Sequence, residues 1–511
     1  MNRGFVKDMV KYLPSQVVPG FVALVSIPVV THIFPPAEYG NYSLAAATVM
    51  ILTTFFGWLP TSVIRYYPAY ERENRLAAFN VTILRLAVIA TIGVTVIYYA
   101  SLVLMRRWMS PKLWQLLMIG GMLFITTCAF NLLQYVLRSK RLAGWFSVFA
   151  VWCSVAGFGL GIALILTLGL GIEGLILGTT VSTILALPLL WRKALGKGIR
   201  TWFAGRMDRQ AARATLAYGM PLVVSNLGAW ILSLSDRYLI GLFRDSSEVG
   251  IYSLTYNIAD KSVMLLATLF VMASGPMGMA IWENRGEQES KRFVAEVTRL
   301  YLLTSVPLVV GLSVLSRLVV DIMAGDEYAG GYTIMPYVLF GVLLVGMEQR
   351  YHAGLLYHKR TQWITVSTIA AGLLNVVLNI LFIPRYGYFA AAVTTLVSYV
   401  TLLLLTIRFS RRVFIWRFPW RSLFNASLAC AVMAVVIRSL ETSIPRGSLS
   451  MLILCAGAGS GVYCVLLLAL GEFSPEELQS LRRIVHKASC RIRKRPPSSV
   501  AVERSPAEEV V

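Results

Sequence analysis

Tyr42-Ser43-Leu44 lies in the first half of this 511-residue chain, and Tyr252-Ser253-Leu254 lies at the matching place in the second. The correspondence extends outward from there. Lys11-Tyr12-Leu13-Pro14 is answered by Ala217-Tyr218-Gly219-Met220-Pro221. Lys140-Arg141 ahead of Trp145 returns as Lys359-Arg360 ahead of Trp363, and Val181-Ser182 returns as Val397-Ser398. Nearly everything between these landmarks is apolar. A duplicated series of apolar segments implies two related helical bundles, the arrangement in which one bundle rocks against the other around a shared site.

Composition agrees with a membrane bundle. The chain is 57% hydrophobic and 14% charged, with a mean hydropathy of +0.67, outside the range of a soluble domain of this size. A helix needs about 20 apolar residues to cross a bilayer core. The runs that qualify are 13–34, 42–60, 83–105, 113–137, 145–168, 172–191, 215–240, 250–275, 297–320, 333–357, 363–383, 388–407, 422–440 and 449–470. The pairs 145–168/172–191 and 363–383/388–407 have connections so short that they predict helical hairpins. The expected fold is therefore an all-α polytopic membrane protein of about 14 transmembrane helices in two homologous lobes.

The expected organisation is an N-terminal lobe over 1–191, a basic linker over 192–214, a C-terminal lobe over 215–407, two further spans within 408–470, and a tail over 471–511. The linker mixes Trp202 and Phe203 with lysine and arginine, as suits a headgroup layer. Ser474-Pro475-Glu476-Glu477 predicts the start of an amphipathic helix running to about Cys490, followed by a disordered basic tail. Residues 1–12 are polar and basic, and the first apolar run is too long for a cleaved leader, so it is expected to remain as an anchor.

Alternate loops divide the basic residues unequally. With the amino terminus in the cytoplasm, cytoplasmic segments hold 34 of the 47 lysines and arginines and the opposite loops 7. The positive-inside rule then places both termini in the cytoplasm. It also accounts for the net charge of +22, because anionic headgroups attract basic loops. No aromatic-interleaved basic platform points to nucleic acid.

Several motifs lead nowhere. Cys128, Cys153, Cys430, Cys455 and Cys464 lie singly in apolar runs, where cysteine acts as a small hydrophobe. The four histidines form no ligand cluster, so neither a metal nor a cofactor is expected. Gly169-Leu170-Gly171-Ile172-Glu173-Gly174 matches a dinucleotide pattern, but no acidic residue follows at the ribose spacing. A tight turn with small residues for close helix packing is the better reading.

The informative residues are charged side chains at membrane depth, which are costly there and tend to face a wet cavity or a partner. They are Asp236 and Arg237 in the seventh span, Asp260 and Lys261 in the eighth, and Glu348 and Arg350 in the tenth. Arg65 closes the second span. Arg85, Arg299 and Arg317 lie near span ends, where structural or interfacial roles are expected. Adjacent helical residues project about 100° apart, so Asp236 and Arg237 cannot both point the same way, and their partners are expected on other helices.

Phe34-Pro35-Pro36-Ala37-Glu38-Tyr39-Gly40-Asn41-Tyr42-Ser43-Leu44 resembles the first-loop signature of polysaccharide-biosynthesis flippases. These are the O-antigen and exopolysaccharide translocases of the multidrug/oligosaccharidyl-lipid/polysaccharide exporter superfamily. Tyr218 to Pro221, Ser235 to Tyr238, Gly250 to Ser253 and Gly387 to Ala390 carry the resemblance further, over roughly residues 5 to 470. It implies a carrier, not an enzyme, that moves polyprenyl-diphosphate-linked oligosaccharide from the cytoplasmic to the periplasmic leaflet of a bacterial inner membrane. A polysaccharide polymerase or export complex is the implied partner. Arg65, Arg237, Lys261 and Arg350 are then the candidates to hold diphosphate and sugar, arginine being suited by its planar donor fork. Asp236, Asp260 and Glu348 either position them or bind a proton or sodium ion that couples transport. The alternatives are a cation-coupled drug exporter or a peptidoglycan-precursor flippase of the same superfamily. A membrane-embedded glycosyltransferase is disfavoured by the short outer loops.

Overall fold

The structure is a computed structural model, and it describes residues 11–196, 207–443, 449–473, 475 and 477. Fourteen α-helices are labelled in chain order. The first seven are α1 (Pro14–Thr31), α2 (Pro36–Phe56), α3 (Trp58–Arg72), α4 (Leu76–Met105), α5 (Pro111–Ser139), α6 (Ala143–Leu168) and α7 (Glu173–Leu195). The rest are α8 (Arg209–Phe243), α9 (Ser246–Val314), α10 (Ser316–Met323), α11 (Met335–Tyr357), α12 (Gln362–Ser410), α13 (Trp420–Ser443) and α14 (Leu449–Ala469). Among the described residues, eleven candidate spans meet the length and hydropathy needed to cross a membrane, and a bent pair ending in α11 makes a twelfth. Non-helical backbone at Gly286 divides α9, and at Gly387 divides α12. Each becomes two arms, which yields the two-lobed architecture expected from the sequence. Much of the expected linker, the expected tail helix and residues 1–10 lie outside the described residues.

Local chemistry sets the boundaries. Proline occupies the first turn of α1, α2, α5 and α11, where its missing N–H costs nothing. Ser110 caps α5 by accepting from the Leu113 N–H, and Asp245 caps α9 by accepting from the Glu248 N–H at 2.8 Å. The hairpin turns need left-handed backbone, which glycine supplies: φ is 62° at Gly169 between α6 and α7, and 59° at Gly387 within α12. Tyr388 N–H beyond that second turn donates to Glu248 Oε2 at 3.0 Å, and Arg244 holds the same carboxylate at 2.7 Å.

Gly174 of the motif that begins at Gly169 packs closely, since a Cβ there would lie 3.1 Å from the Gly161 carbonyl oxygen, and the close approach continues along α7. A Cβ on Gly178 would lie 2.2 Å from the Gly161 backbone nitrogen, so α6 and α7 touch through their main chains. Outward faces remain apolar. Ile97, Val103 and Leu104 of α4 are 71%, 69% and 76% exposed, a surface that water would penalise and hydrocarbon does not.

Candidate functional site

A cavity of about 360 Å³ lies between the two lobes. Ser26 of α1, Tyr39 and Tyr42 of α2 and Thr179 of α7 line it from the first lobe. Arg237 of α8 and Asn257 and Lys261 of α9 line it from the second. Among the described residues that line it there is no carboxylate, so the chamber carries a positive bias.

Arg237 is only 4% exposed. Its Nε donates to Ser253 Oγ at 3.1 Å, its Nη1 donates to the Ser233 carbonyl at 3.1 Å, and its plane lies 5.0 Å from the Tyr256 ring centroid. Buried charge must be compensated, and these contacts do so with neutral groups. They fix the guanidinium without neutralising it. Lys261 is more open, with Nζ 3.4 Å from Asp260 Oδ2, a loose pair of the sort that contributes little. Asn257 Nδ2 donates to Tyr39 Oη at 3.1 Å, joining the lobes across the chamber.

Asp236, the neighbour of Arg237, is fully buried on the other side of α8. It accepts from Tyr252 Oη at 2.5 Å, Asn379 Nδ2 at 2.6 Å and Thr395 Oγ1 at 2.7 Å. Asn375 extends the network, donating to Thr395 Oγ1 and accepting from Ser235 and Asn379. Thr394 donates to Asn379 Oδ1. Three donors satisfy the side-chain oxygens of Asp236 in this interior. Asn375 and Asn379 were not singled out from the sequence. Their signal was present: two amides at i and i+4 on one face of an otherwise apolar span.

The remaining candidates disperse. Glu348 accepts from Thr406 Oγ1 at 3.0 Å and pairs with His352 Nε2 at 2.5 Å, away from the chamber. Arg350 lies in a separate cavity within the second lobe. Arg65 is exposed on α3 and does not line the chamber. The structure thus brings Arg237, Lys261 and the nearby Asp260 together, and leaves Arg65, Glu348 and Arg350 elsewhere. Tyr39 and Tyr42, quoted only as part of a sequence signature, are chamber walls.

Outside the chamber the lobes touch at two further places. At one, a Cβ on Gly40 of α2 would lie 1.8 Å from the Ser246 carbonyl oxygen, and one on Gly250 of α9 would lie 2.0 Å from the Pro36 carbonyl oxygen. Ser246 Oγ donates to Asn41 Oδ1 there at 2.9 Å. At the other, Arg75 Nη2 pairs with Asp208 Oδ2 at 2.7 Å, and Ser62 Oγ donates to the Thr215 carbonyl at 3.1 Å. These contacts are the candidate seals between the lobes.

Comparison with known proteins agrees with this architecture. The fold is similar to a structure titled "Lipid II flippase MurJ, inward closed conformation", with a TM-score of 0.73 at 15% identity over 90% of this chain and 98% of that one. It is also similar to an inward-facing multidrug resistance MATE family transporter of the MOP superfamily, with a TM-score of 0.59 at 15% identity over 80% and 93%. By sequence it is similar to the "Probable low-salt glycan biosynthesis flippase Agl15" of Haloferax volcanii, 23% identical over 54% of this chain and 58% of that protein. It is likewise similar to the "Probable flippase AglR" of the same organism, 22% identical over 71% and 75%. The match thus spans little more than half the length of the first relative. Residues 5–282, more than half of the chain, match the family described as "Polysaccharide biosynthesis protein". This multi-pass membrane protein belongs to the polysaccharide biosynthesis protein family.

Proposed function

We propose that the protein is a flippase that carries polyprenyl-diphosphate-linked oligosaccharide from the cytoplasmic to the outer leaflet of a bacterial inner membrane, by alternating access, during cell-surface polysaccharide biosynthesis. The observation that carries this reading is the inter-lobe chamber, walled by Arg237 and Lys261 and, among the described residues, by no carboxylate. A diphosphate entering hydrocarbon loses its hydration, and fixed cations with hydroxyl and amide groups replace it. Arg237 holds its fork in place through Ser253 and Ser233, so little is lost in ordering it on binding. Asn257, Tyr39 and Tyr42 offer donors, acceptors and flat faces to sugar.

At about 360 Å³ the chamber sits near the low end of ligand pockets, about 300–1,000 Å³. A long glycan therefore requires one seal to part before it enters. The Asp236 network lies one helix face away from the chamber and is the proposed place for a coupling proton or sodium ion. Occupancy there would act on Arg237 through α8 and through Tyr252, whose ring borders both residues.

A cationic drug would meet like charge in this chamber, which argues against the drug-exporter reading. A peptidoglycan precursor shares the diphosphate. Depleting the protein and identifying the lipid-linked intermediate that accumulates on the cytoplasmic face separates the two. A surface-polysaccharide repeat is expected, and a peptidoglycan precursor instead would overturn the assignment.

A further inference from the structure

Arg350 is 4% exposed, yet its Nε and Nη2 have no hydrogen-bond partner among the described residues. These two nitrogens are the parallel donors along one edge of the guanidinium, the pair that grips an oxyanion through two oxygens. The arginine lines a cavity of about 120 Å³ formed by both arms of α9 and by α11, apart from the inter-lobe chamber. Gln349 lines the same cavity, and its Oε1 is a buried acceptor that is also unpaired. No carboxylate lines it among the described residues, because Glu348 is turned toward His352 and Thr406.

The placement is built. Gly346, one turn before Arg350, leaves space for the Tyr301 ring, whose hydroxyl would lie 1.8 Å from a Cβ there. That ring lies under the guanidinium, 5.4 Å from centroid to Cζ. Tyr301 is itself held by donating to the Leu343 carbonyl at 3.2 Å. Met279 and Leu356 at the rim are 39% and 46% exposed, so the cavity communicates with the molecular surface. A buried cation with two unmatched donors is unfavourable unless an anion completes it.

We propose that this cavity is a phosphate site, in which the Nε and Nη2 edge of Arg350 binds two oxygens of a phosphate monoanion and Gln349 Oε1 accepts its hydroxyl. The phosphate is either free or the terminal group of a lipid. The volume suits a phosphate group and excludes a sugar chain, which sets this site apart from the chamber.

The test uses the full chain carrying Arg237→Ala and Lys261→Ala, so that neither cation of the chamber contributes, with and without Arg350→Gln. Thermal unfolding is followed against inorganic phosphate at constant ionic strength set with sodium chloride. A parallel arm uses nanodiscs with and without phosphatidate. A saturable rise in Tm that Arg350→Gln weakens about tenfold or more is expected in one arm, and the arm identifies the source. In phosphate-free chloride, Arg350→Gln should unfold at a higher temperature than its parent, because it removes an uncompensated buried charge. Equal responses in the two proteins, no saturable response in either arm, or a lower Tm for Arg350→Gln in chloride would each overturn the proposal.

Discussion

Asp236 and Arg237 are consecutive on α8 and face different compartments. The carboxylate lies inside the second lobe against Tyr252, Asn379 and Thr395, and the guanidinium faces the chamber between lobes. Tyr252 borders both, donating to Asp236 while its ring lies 5.9 Å from the Arg237 guanidinium. A change of charge at Asp236 therefore has a short physical route to the ligand face.

Asp236→Ala leaves three buried donors without an acceptor, each costing about 1–3 kcal/mol. We expect its thermal midpoint to fall well below wild type. Asp236→Asn keeps the shape and should keep most of the stability, while transport loses its dependence on the sodium or proton gradient. Persistence of that dependence in reconstituted Asp236→Asn would remove the coupling role.

Gly250→Ala places a methyl 2.0 Å from the Pro36 carbonyl oxygen, where only backbone can yield. Overpacking of this kind costs about 1–3 kcal/mol. The seal between α2 and α9 should then open, and disulfide formation between Asn41→Cys and Ser246→Cys should slow about tenfold. Gly93→Ala, with nothing within 4 Å, should leave that rate unchanged.

Arg299 fastens the last two helices to the second lobe. It donates to Glu472 Oε1 at 3.0 Å, to the Glu472 carbonyl at 2.6 Å and to Glu477 at 2.8 Å. Burial pushes the Glu472 carboxyl up, but hydrogen bonds from Ser422, Asn425 and Arg299 together outweigh it and hold the group below the ordinary glutamate value. A lowered carboxyl stabilises the fold above that ordinary value, and the contribution is lost as pH falls through the folded one. The Tm advantage of wild type over Glu472→Gln should be full above about pH 4.5 and shrink below it. An advantage that stays constant on acidification would contradict this.

The fold was legible because membrane chemistry writes it in composition. Apolar length, basic loops and repeated landmarks such as Tyr42 and Tyr252 require no knowledge of packing. Arg237 and Lys261 were legible for the same reason, since charge at depth demands a wet neighbour. Direction was not legible. Glu348 and Arg350 stand two apart on α11 and point into different surroundings, Glu348 to a histidine and Arg350 to a cavity within the second lobe. Tyr39 escaped notice because a tyrosine near a helix end reads equally as interface or wall. Arg299, expected in a structural or interfacial role, is a structural hub fixed by glutamates distant in sequence.

The cationic chamber is tested most directly by transbilayer movement of a polyprenyl-diphosphate-linked oligosaccharide in liposomes holding purified protein. Wild type, Arg237→Ala and Arg299→Ala are compared at equal incorporated amounts. Loss of one charged contact predicts a rate about tenfold or more lower for Arg237→Ala, with Arg299→Ala affected less. Equal rates for the two variants would contradict a chamber that grips its cargo through Arg237.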